Sequence, residues 1–416
     1  MLIRFQASNH RSIREPIELS LVAIDRDRSQ VRFQPMLGES LVQVVGIYGP
    51  NASGKSNVMS ALAWLTNAVL SSLRTWSHTI PVDPFASDDG LTTPSEYEIE
   101  LLVGGVRFEY LLELTSEGVS YEGLFHYPEK KRRRVFEREG LDLTIQRGLG
   151  PLSGLRKLLT NQTLFLSAAS QWGEPITSAF IKFLADIQMP YLQGSRAWSS
   201  TLDLFDTFLS TERHESDGWP DGDLLSTREQ SLALLRLADR GIQDVDVYED
   251  EIRLASGNVH KIRGARVKRS ADGAPKALDL VEESQGTATW FQMLGPVMRA
   301  LRKGSPILVD ELDASLHPKL SAELVRLFRS PQLNQNGAQL IFTSHDTSLL
   351  AHLNRDEVWL CDKQEDGSTR LGPLSDFATD RVKRSQNLES GYLGGRFGAL
   401  PQFDQLELLR AFGLIG

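Results

Sequence analysis

The chain has one cysteine, Cys361, among 416 residues. This excludes an intrachain disulfide, a Cys-x-x-Cys metal site and a zinc hook. Such sparse use of cysteine suits a reducing cytosol. No apolar run approaches membrane-spanning length. The segment from Met1 to Arg11 lacks the apolar core of a signal peptide. A cytoplasmic protein without membrane contact is therefore expected. A basic balance is missing too: the net charge is −9, which argues against wholesale coating of nucleic acid but leaves local patches open. Internal repeats, long low-complexity tracts and sustained heptads are also absent, so a long coiled-coil arm is not expected. What is left, 41% hydrophobic and 24% charged, is an ordinary globular composition. The length suffices for a large core in two lobes.

Against that plain background one loop stands out. Gly49-Pro50-Asn51-Ala52-Ser53-Gly54-Lys55-Ser56 fits G-x-x-x-x-G-K-[ST] at every fixed position. Val42 to Tyr48 reads as a buried strand before it. Val58, Leu62, Leu65 and Val69 recur at helical spacing behind it. Strand, glycine loop and helix together aim backbone N–H groups and a helix N-terminus at phosphate. Lys55 would reach the β- and γ-phosphates of a nucleotide, and Ser56 would hold Mg²⁺.

A second stretch complements the loop. Ile307-Leu308-Val309 is a short apolar run ending in Asp310-Glu311, with Asp313 two residues on. A buried strand that delivers acids to its C-terminal edge is how α/β nucleotidases present a metal-holding aspartate. An acid directly after it can orient or deprotonate a water.

Periodicity divides the rest. Residues 1–60 read as strands leading into the loop. Tyr97, Ile99, Leu101 and Val103 alternate with polar residues, Gly104-Gly105 signals a turn, and Val106 to Leu114 alternate again, so an antiparallel meander is expected over 95–147. From about Leu152 to Arg240 the pattern is helical, with Ile176, Phe180, Phe183 and Ile187 on one face and a loop at Gly218-Trp219-Pro220-Asp221-Gly222. Residues 244–282 return to strand-like alternation, and α/β order follows. The expected division is 1–150 for the first part of the nucleotide core with a β-subdomain, 151–282 for an inserted helical lobe with connecting strands, 283–385 for the rest of the core, and 386–416 for a tail.

Three further features narrow the choice among P-loop proteins. Glu283-Ser284-Gln285-Gly286-Thr287 precedes a helix carrying Trp290, Leu294, Val297 and Leu301. A Ser-x-Gly turn there is a ready phosphate site, although an ordinary glycine-bearing cap reads the same way. Asp313 to Pro318 follow the acids. Leu340-Ile341-Phe342-Thr343-Ser344-His345 is a strand delivering a histidine to the sheet edge. In this order the parts resemble the ABC-type ATPase clan, in its branch with the SMC, RecF and overcoming-lysogenization-defect proteins. Glu283 to Thr287 would be a divergent Leu-Ser-Gly-Gly-Gln signature, Asp313 the D-loop acid and His345 the switch histidine. The start, Asn9-His10-Arg11-Ser12, and the end, Asp356-Glu357-Val358-Trp359-Leu360 with Asn387 to Pro401, look like prokaryotic RloA-like, abortive-infection-type ATPases.

That resemblance implies a P-loop ABC-type head: a mixed central sheet plus antiparallel β-subdomain, with an inserted helical lobe. It implies ATP and Mg²⁺ sandwiched in a homodimer, or a higher even-numbered oligomer. Gly49, Asn51, Ser53, Gly54, Lys55, Ser56, Asn57 and Arg11 would hold the nucleotide in one copy, with Ser284, Gly286 and Asp313 acting across the interface. Ser56 and Asp310 would hold Mg²⁺, Glu311 would orient the attacking water, and His345 would contact the γ-phosphate. A glutamine linking the metal to the helical lobe is also implied, with Gln162 and Gln171 both open. The family works in anti-phage defence, commonly with a separately encoded TOPRIM-like nuclease or other toxin. The 71 residues after His345 are too few for a nuclease domain of its own, and Asp244-Val245-Asp246 reads as polar positions on a strand. A RecF- or SMC-like DNA-repair ATPase is the alternative. Two basic runs, Lys130 to Arg134 and Lys261 to Arg269, are either solvated faces or phosphate contacts for DNA, RNA or tRNA. The tail could dock a partner or pack on the core.

Overall fold

The computed structural model describes residues 1–149, 154–156, 159–190, 195–206, 224–253, 259–271, 274–314, 316–377, 388–394, 410 and 412. The expected loop at 218–222 and most of the tail lie outside them. The centre is a five-stranded sheet in the order β14 (Pro306–Val309), β15 (Gln339–Thr343), β5 (Val44–Tyr48), β16 (Val358–Lys363), β17 (Thr369–Pro373). The first four strands run parallel and β17 closes the edge antiparallel. The strand before the glycine loop thus hydrogen-bonds only to strands from the far end of the chain. That is the discontinuous core the motif spacing implies.

Both faces of this sheet are covered, so β14, β15 and β5 are buried at every position. All five residues of β5 and all four of β14 are buried. The pleat divides them between two hydrophobic layers. Val45, Ile47, Leu308 and Ile341 face the layer built by the helix Lys55–Thr75 and the antiparallel sheet. Val44, Tyr48, Ile307, Val309, Leu340 and Phe342 face the layer built by the helices Gln285–Lys303 and Pro318–Arg329. The helix after the loop buries Val58, Leu62, Leu65 and Val69, the stripe its spacing predicts.

The expected meander forms: β6 (Ser95–Val103), β7 (Val106–Leu114), β8 (Val119–Tyr127), β9 (Arg133–Glu139) and β10 (Asp142–Ile145). Its sheet is wider than the alternation shows, because β1 (Leu2–Ser8) pairs with β6 and β2 (Ile17–Ser20) with β1, giving seven strands. Helices Phe165–Ala169, Pro175–Asp186, Ser195–Phe205 and Leu224–Ala238 follow. A three-stranded sheet of β11 (Ile242–Arg253), β12 (Val259–Ala271) and β13 (Ala274–Asp279) leads back to the core. Asp244 and Asp246 sit on β11 and pair with Arg228 and Lys268, as polar strand positions do. Of the tail, helix Leu388–Leu393 is described. It sets Tyr392 edge-on against Tyr48 at the end of β5. Among the described residues no helix is long and apolar enough to cross a membrane.

Candidate functional site

Five strictly buried residues bring the chain to the sheet edge at Tyr48, and the loop begins there. At Gly49 the backbone passes so close to β16 that a Cβ would lie 2.0 Å from the Cys361 carbonyl oxygen. Gly54 closes the loop at φ +102°, a conformation that favours glycine. It is also the N-cap of helix Lys55–Thr75, and no side chain caps that helix. The N–H groups of Lys55 and Ser56 are thereby left to an anion, while that of Asn57 already bonds the Gly54 carbonyl. The Ser53 hydroxyl is buried in the same loop without a hydrogen-bond partner. Lys55 Nζ donates to the loop carbonyls of Gly49 (2.9 Å) and Pro50 (3.0 Å). Burial pulls its ammonium below the usual lysine range, against the opposing pull of Cys361, Asp310, Glu311 and Asp313. A glycine cradle, an orphaned hydroxyl and a desolvated ammonium make a donor set suited to phosphate.

The loop is bolted from beneath by residues the motif does not include. Cys361 Sγ and Thr369 Oγ1 both donate to the Ser53 carbonyl, at 3.1 and 3.0 Å. Thr369 Oγ1 lies 2.7 Å from Ser12 Oγ, and Asn57 Nδ2 donates to Ser12 Oγ at 2.6 Å. The Thr369 N–H reaches back to the Ser12 carbonyl at 2.7 Å. Asn57 therefore ties the loop helix to the N-terminal segment. Arg11, next to Ser12, pairs with Asp83 at 2.8 Å. It lines a cavity of about 350 Å³ together with Ser56, Met59, Trp64, Met189 and Asp310.

The acids arrive from the neighbouring strands. β14 ends at Val309, and Asp310 follows it at the edge. Ser56 Oγ donates to Asp310 Oδ1 at 3.2 Å across 254 residues of sequence. A hydroxyl and a carboxylate oxygen meeting beside a phosphate cradle are hard donors of the kind Mg²⁺ takes. Glu311 adopts φ +51°, an arrangement that costs a non-glycine residue about 1–2 kcal/mol. The Thr343 hydroxyl accepts from the Glu311 N–H at 2.7 Å and donates to Asp310 Oδ1 at 2.5 Å. Asp313 takes the His345 N–H on its carboxylate, at 3.1 Å for Oδ1. The imidazole of His345 is left exposed at the same edge.

Ser284 and Gly286 are not part of this cluster. Ser284 is the N-cap of helix Gln285–Lys303, its Oγ accepting from the Thr287 N–H at 3.2 Å. Glu283 forks onto Arg269 at 2.7 and 3.1 Å. Among the described residues no hydrogen bond or ion pair joins this turn to the glycine loop or to the acids. The structure brings neither candidate glutamine to the metal donors: Gln162 Nε2 donates to the His78 carbonyl at 2.6 Å, and Gln171 Nε2 to Ser170 Oγ at 3.2 Å. A third glutamine was not visible from spacing. The backbone of Gln188 extends the core sheet, its N–H donating to the Pro306 carbonyl at 2.9 Å and its carbonyl accepting from the Leu308 N–H at 2.8 Å. The strand breaker Pro190 two residues on was the available signal.

The basic runs are largely matched by acids. Arg132, Arg133 and Arg134 pair with Glu109, Glu129 and Glu137, and Arg132 also lies 3.4 Å over the Phe125 ring. In the second run Arg263 pairs with Asp203 and Asp206, Lys268 with Asp246, and Arg269 with Asp239 and Glu283. A surface neutralised in place offers little counterion release to a phosphate backbone. This favours the solvated-face reading over the nucleic-acid one.

A family model described as "AAA domain, putative AbiEii toxin, Type IV TA system" matches residues 44–351, from β5 to just beyond His345. No curated protein matches the chain. Among solved structures, an SMC head bound to the C-winged helix domain of ScpA is similar at 12% identity and TM-score 0.44, covering 90% of this chain and 97% of that one. The SMC head domain from Thermotoga maritima is similar at 13% identity and TM-score 0.40, covering 89% and 98%.

Proposed function

The chain belongs to this AAA-domain family, in line with the resemblance its motifs carry, and from that premise we propose that it is an ABC-type ATPase completed by a second copy of itself, a switch in anti-phage defence that controls a separate nuclease or toxin. The observation that carries the reading is the meeting of Ser56, Asp310, Thr343 and Glu311 beside an uncapped glycine cradle. Lys55 and the loop N–H groups bind the phosphates. Ser56 and Asp310 hold Mg²⁺, which neutralises charge on the β- and γ-phosphates when bound. Glu311 orients water and accepts its proton, and His345 faces the γ-phosphate from the other strand end.

The need for a partner copy is supported by what the signature turn lacks. Ser284 is exposed at a helix N-terminus and has no bond to the chain's own loop. A second head would bring it a phosphate. Asp313 holds the His345 backbone, so a change at the interface acid is passed directly to the switch strand. The defence setting is supported by the family's description as a toxin and toxin–antitoxin component.

The test is Glu311→Gln. This protein should bind ATP, hydrolyse it at least about a hundredfold more slowly, and run as a dimer in light scattering when ATP and Mg²⁺ are present. Turnover at the wild-type rate would remove Glu311 from the mechanism. A mass that stays monomeric with ATP would remove the composite site.

A further inference from the structure

We infer that Thr343 is a positioning residue that sets the attitude of both acids, an inference that rests on the ATPase reading above. Its hydroxyl has one proton and free lone pairs. The proton goes to Asp310 Oδ1 at 2.5 Å, and a lone pair takes the Glu311 N–H at 2.7 Å. The Thr343 carbonyl accepts the next N–H, that of Leu312, at 3.0 Å. One residue of β15 therefore grips three consecutive residues at the end of β14.

The grip has a direction. Asp310 Oδ1 is held from two sides, by Thr343 and by Ser56 at 3.2 Å. Among the described residues no hydrogen bond reaches Asp310 Oδ2, so the carboxylate is turned with one oxygen fixed and the other available. Glu311 stands at φ +51°, and its N–H bond to Thr343 keeps that backbone in place while the residue stays exposed. Thr343 is fully buried and follows three buried apolar residues of its strand, Leu340, Ile341 and Phe342. Valine would fill the same volume without a hydroxyl to desolvate. The hydroxyl at this position is therefore explained by what it holds rather than by packing. Thr343 also lies two residues before His345, so the same strand end carries the grip on the acids and the residue that Asp313 anchors.

The experiment compares wild type with Thr343→Val and Thr343→Ser. Three quantities are read: kcat and KM for ATP, the Mg²⁺ concentration that half-saturates binding of a fluorescent ATP analogue, and the thermal midpoint. The valine protein should bind the analogue without Mg²⁺ as wild type does. It should need at least about fivefold more Mg²⁺ and lose at least about tenfold in kcat, with KM within about twofold. The serine protein should recover both. If the valine protein does not fold, Thr343→Ala carries the same expectations. A Mg²⁺ requirement and kcat within about twofold of wild type overturn the inference, as does a serine protein no better than the valine one. Absence of Mg²⁺-dependent hydrolysis in wild type overturns the ATPase reading instead, and the Mg²⁺-binding readout then still decides on Thr343.

Discussion

The carboxylate of Glu122 on β8 and the guanidinium of Arg138 on β9 meet at 3.4 Å with neither side chain exposed to solvent. They do not only neutralise each other. Glu122 accepts the N–H groups of Phe165 and Leu166, at 2.7 and 2.9 Å, and the Tyr110 hydroxyl at 3.1 Å. Arg138 donates to the carbonyls of Gly140, Thr160 and Thr163. The pair thus pins the first helix of the inserted segment to the antiparallel sheet. It is a fully buried polar joint between the two regions.

Removing one partner leaves the other charge buried and unmet. Arg138→Met should lower unfolding stability by about 3–5 kcal/mol in urea titration. A buried ion pair can often be replaced by apolar residues at little cost. Here the double variant Glu122→Leu/Arg138→Met should stay destabilised, because two backbone N–H groups and three carbonyls lose their partners as well. A double variant as stable as wild type would show that the pair does not organise the joint.

The bolt beneath the glycine loop predicts a second outcome. A Cβ on Gly54 would lie 1.9 Å from Thr369 Oγ1, on a residue at φ +102°. Gly54→Ala should lose about 2 kcal/mol of stability and weaken ATP binding by at least about tenfold. Adding Thr369→Ala relieves the overlap but not the backbone strain. The double variant should therefore regain only part of the loss. Full recovery of nucleotide affinity would assign the whole effect to contact and none to conformation.

Local signals made much of this readable in the sequence. The turn at Gly104-Gly105 and the alternation of Tyr97, Ile99 and Leu101 mark β6 and β7 because one face of that sheet is buried at every second residue. The glycine loop and the acid-tipped strand are contiguous patterns, and the structure joins them through Ser56 and Asp310. What stayed hidden are partnerships across distance. Ser12 and Thr369 are 357 positions apart, and β1 joins the N-terminal strand pair to a meander that begins at Ser95. Nothing periodic ties Thr343 to Asp310, since a threonine in an apolar strand reads as a β-former. Gln162 and Gln171 could not be told apart because side-chain direction in irregular segments has no period.

His10 makes the fold sensitive to acid. Its ring is almost fully buried, with Nδ1 2.9 Å from the Tyr97 hydroxyl and Nε2 3.2 Å from Ser60 Oγ. Burial, aided by Arg11, pulls its pKa down to about 4 from 6.5. Above pH 6.5 neither folded nor unfolded chain holds the proton, and His10 adds no pH dependence. Between 6.5 and 4 the unfolded chain takes up a proton that the fold refuses, so stability falls with pH, by roughly 3 kcal/mol in all. The stability gap between wild type and His10→Gln should shrink by about that amount between pH 7.5 and 4. A gap that stays constant would mean His10 titrates normally in the fold.

The single cysteine supplies a direct probe of the loop. Cys361 is fully buried under it, its Sγ donating to the Ser53 carbonyl at 3.1 Å, and burial pushes the thiol up to about 11. The thiolate is the reactive form, so at pH 7.5 about one molecule in three thousand would carry it even with access. Access itself requires the loop or β16 to lift. Labelling by a small disulfide reagent should therefore be slow in the native protein and complete in urea. Phosphate groups seated on the loop N–H groups stabilise the closed form by mass action. Saturating ATP with Mg²⁺ should slow labelling by at least about tenfold in Glu311→Gln, where the nucleotide persists. Lys55→Ala should abolish that protection without changing the rate in the absence of nucleotide by more than about threefold. Equal labelling with and without ATP in the Glu311→Gln protein would place the nucleotide away from this loop.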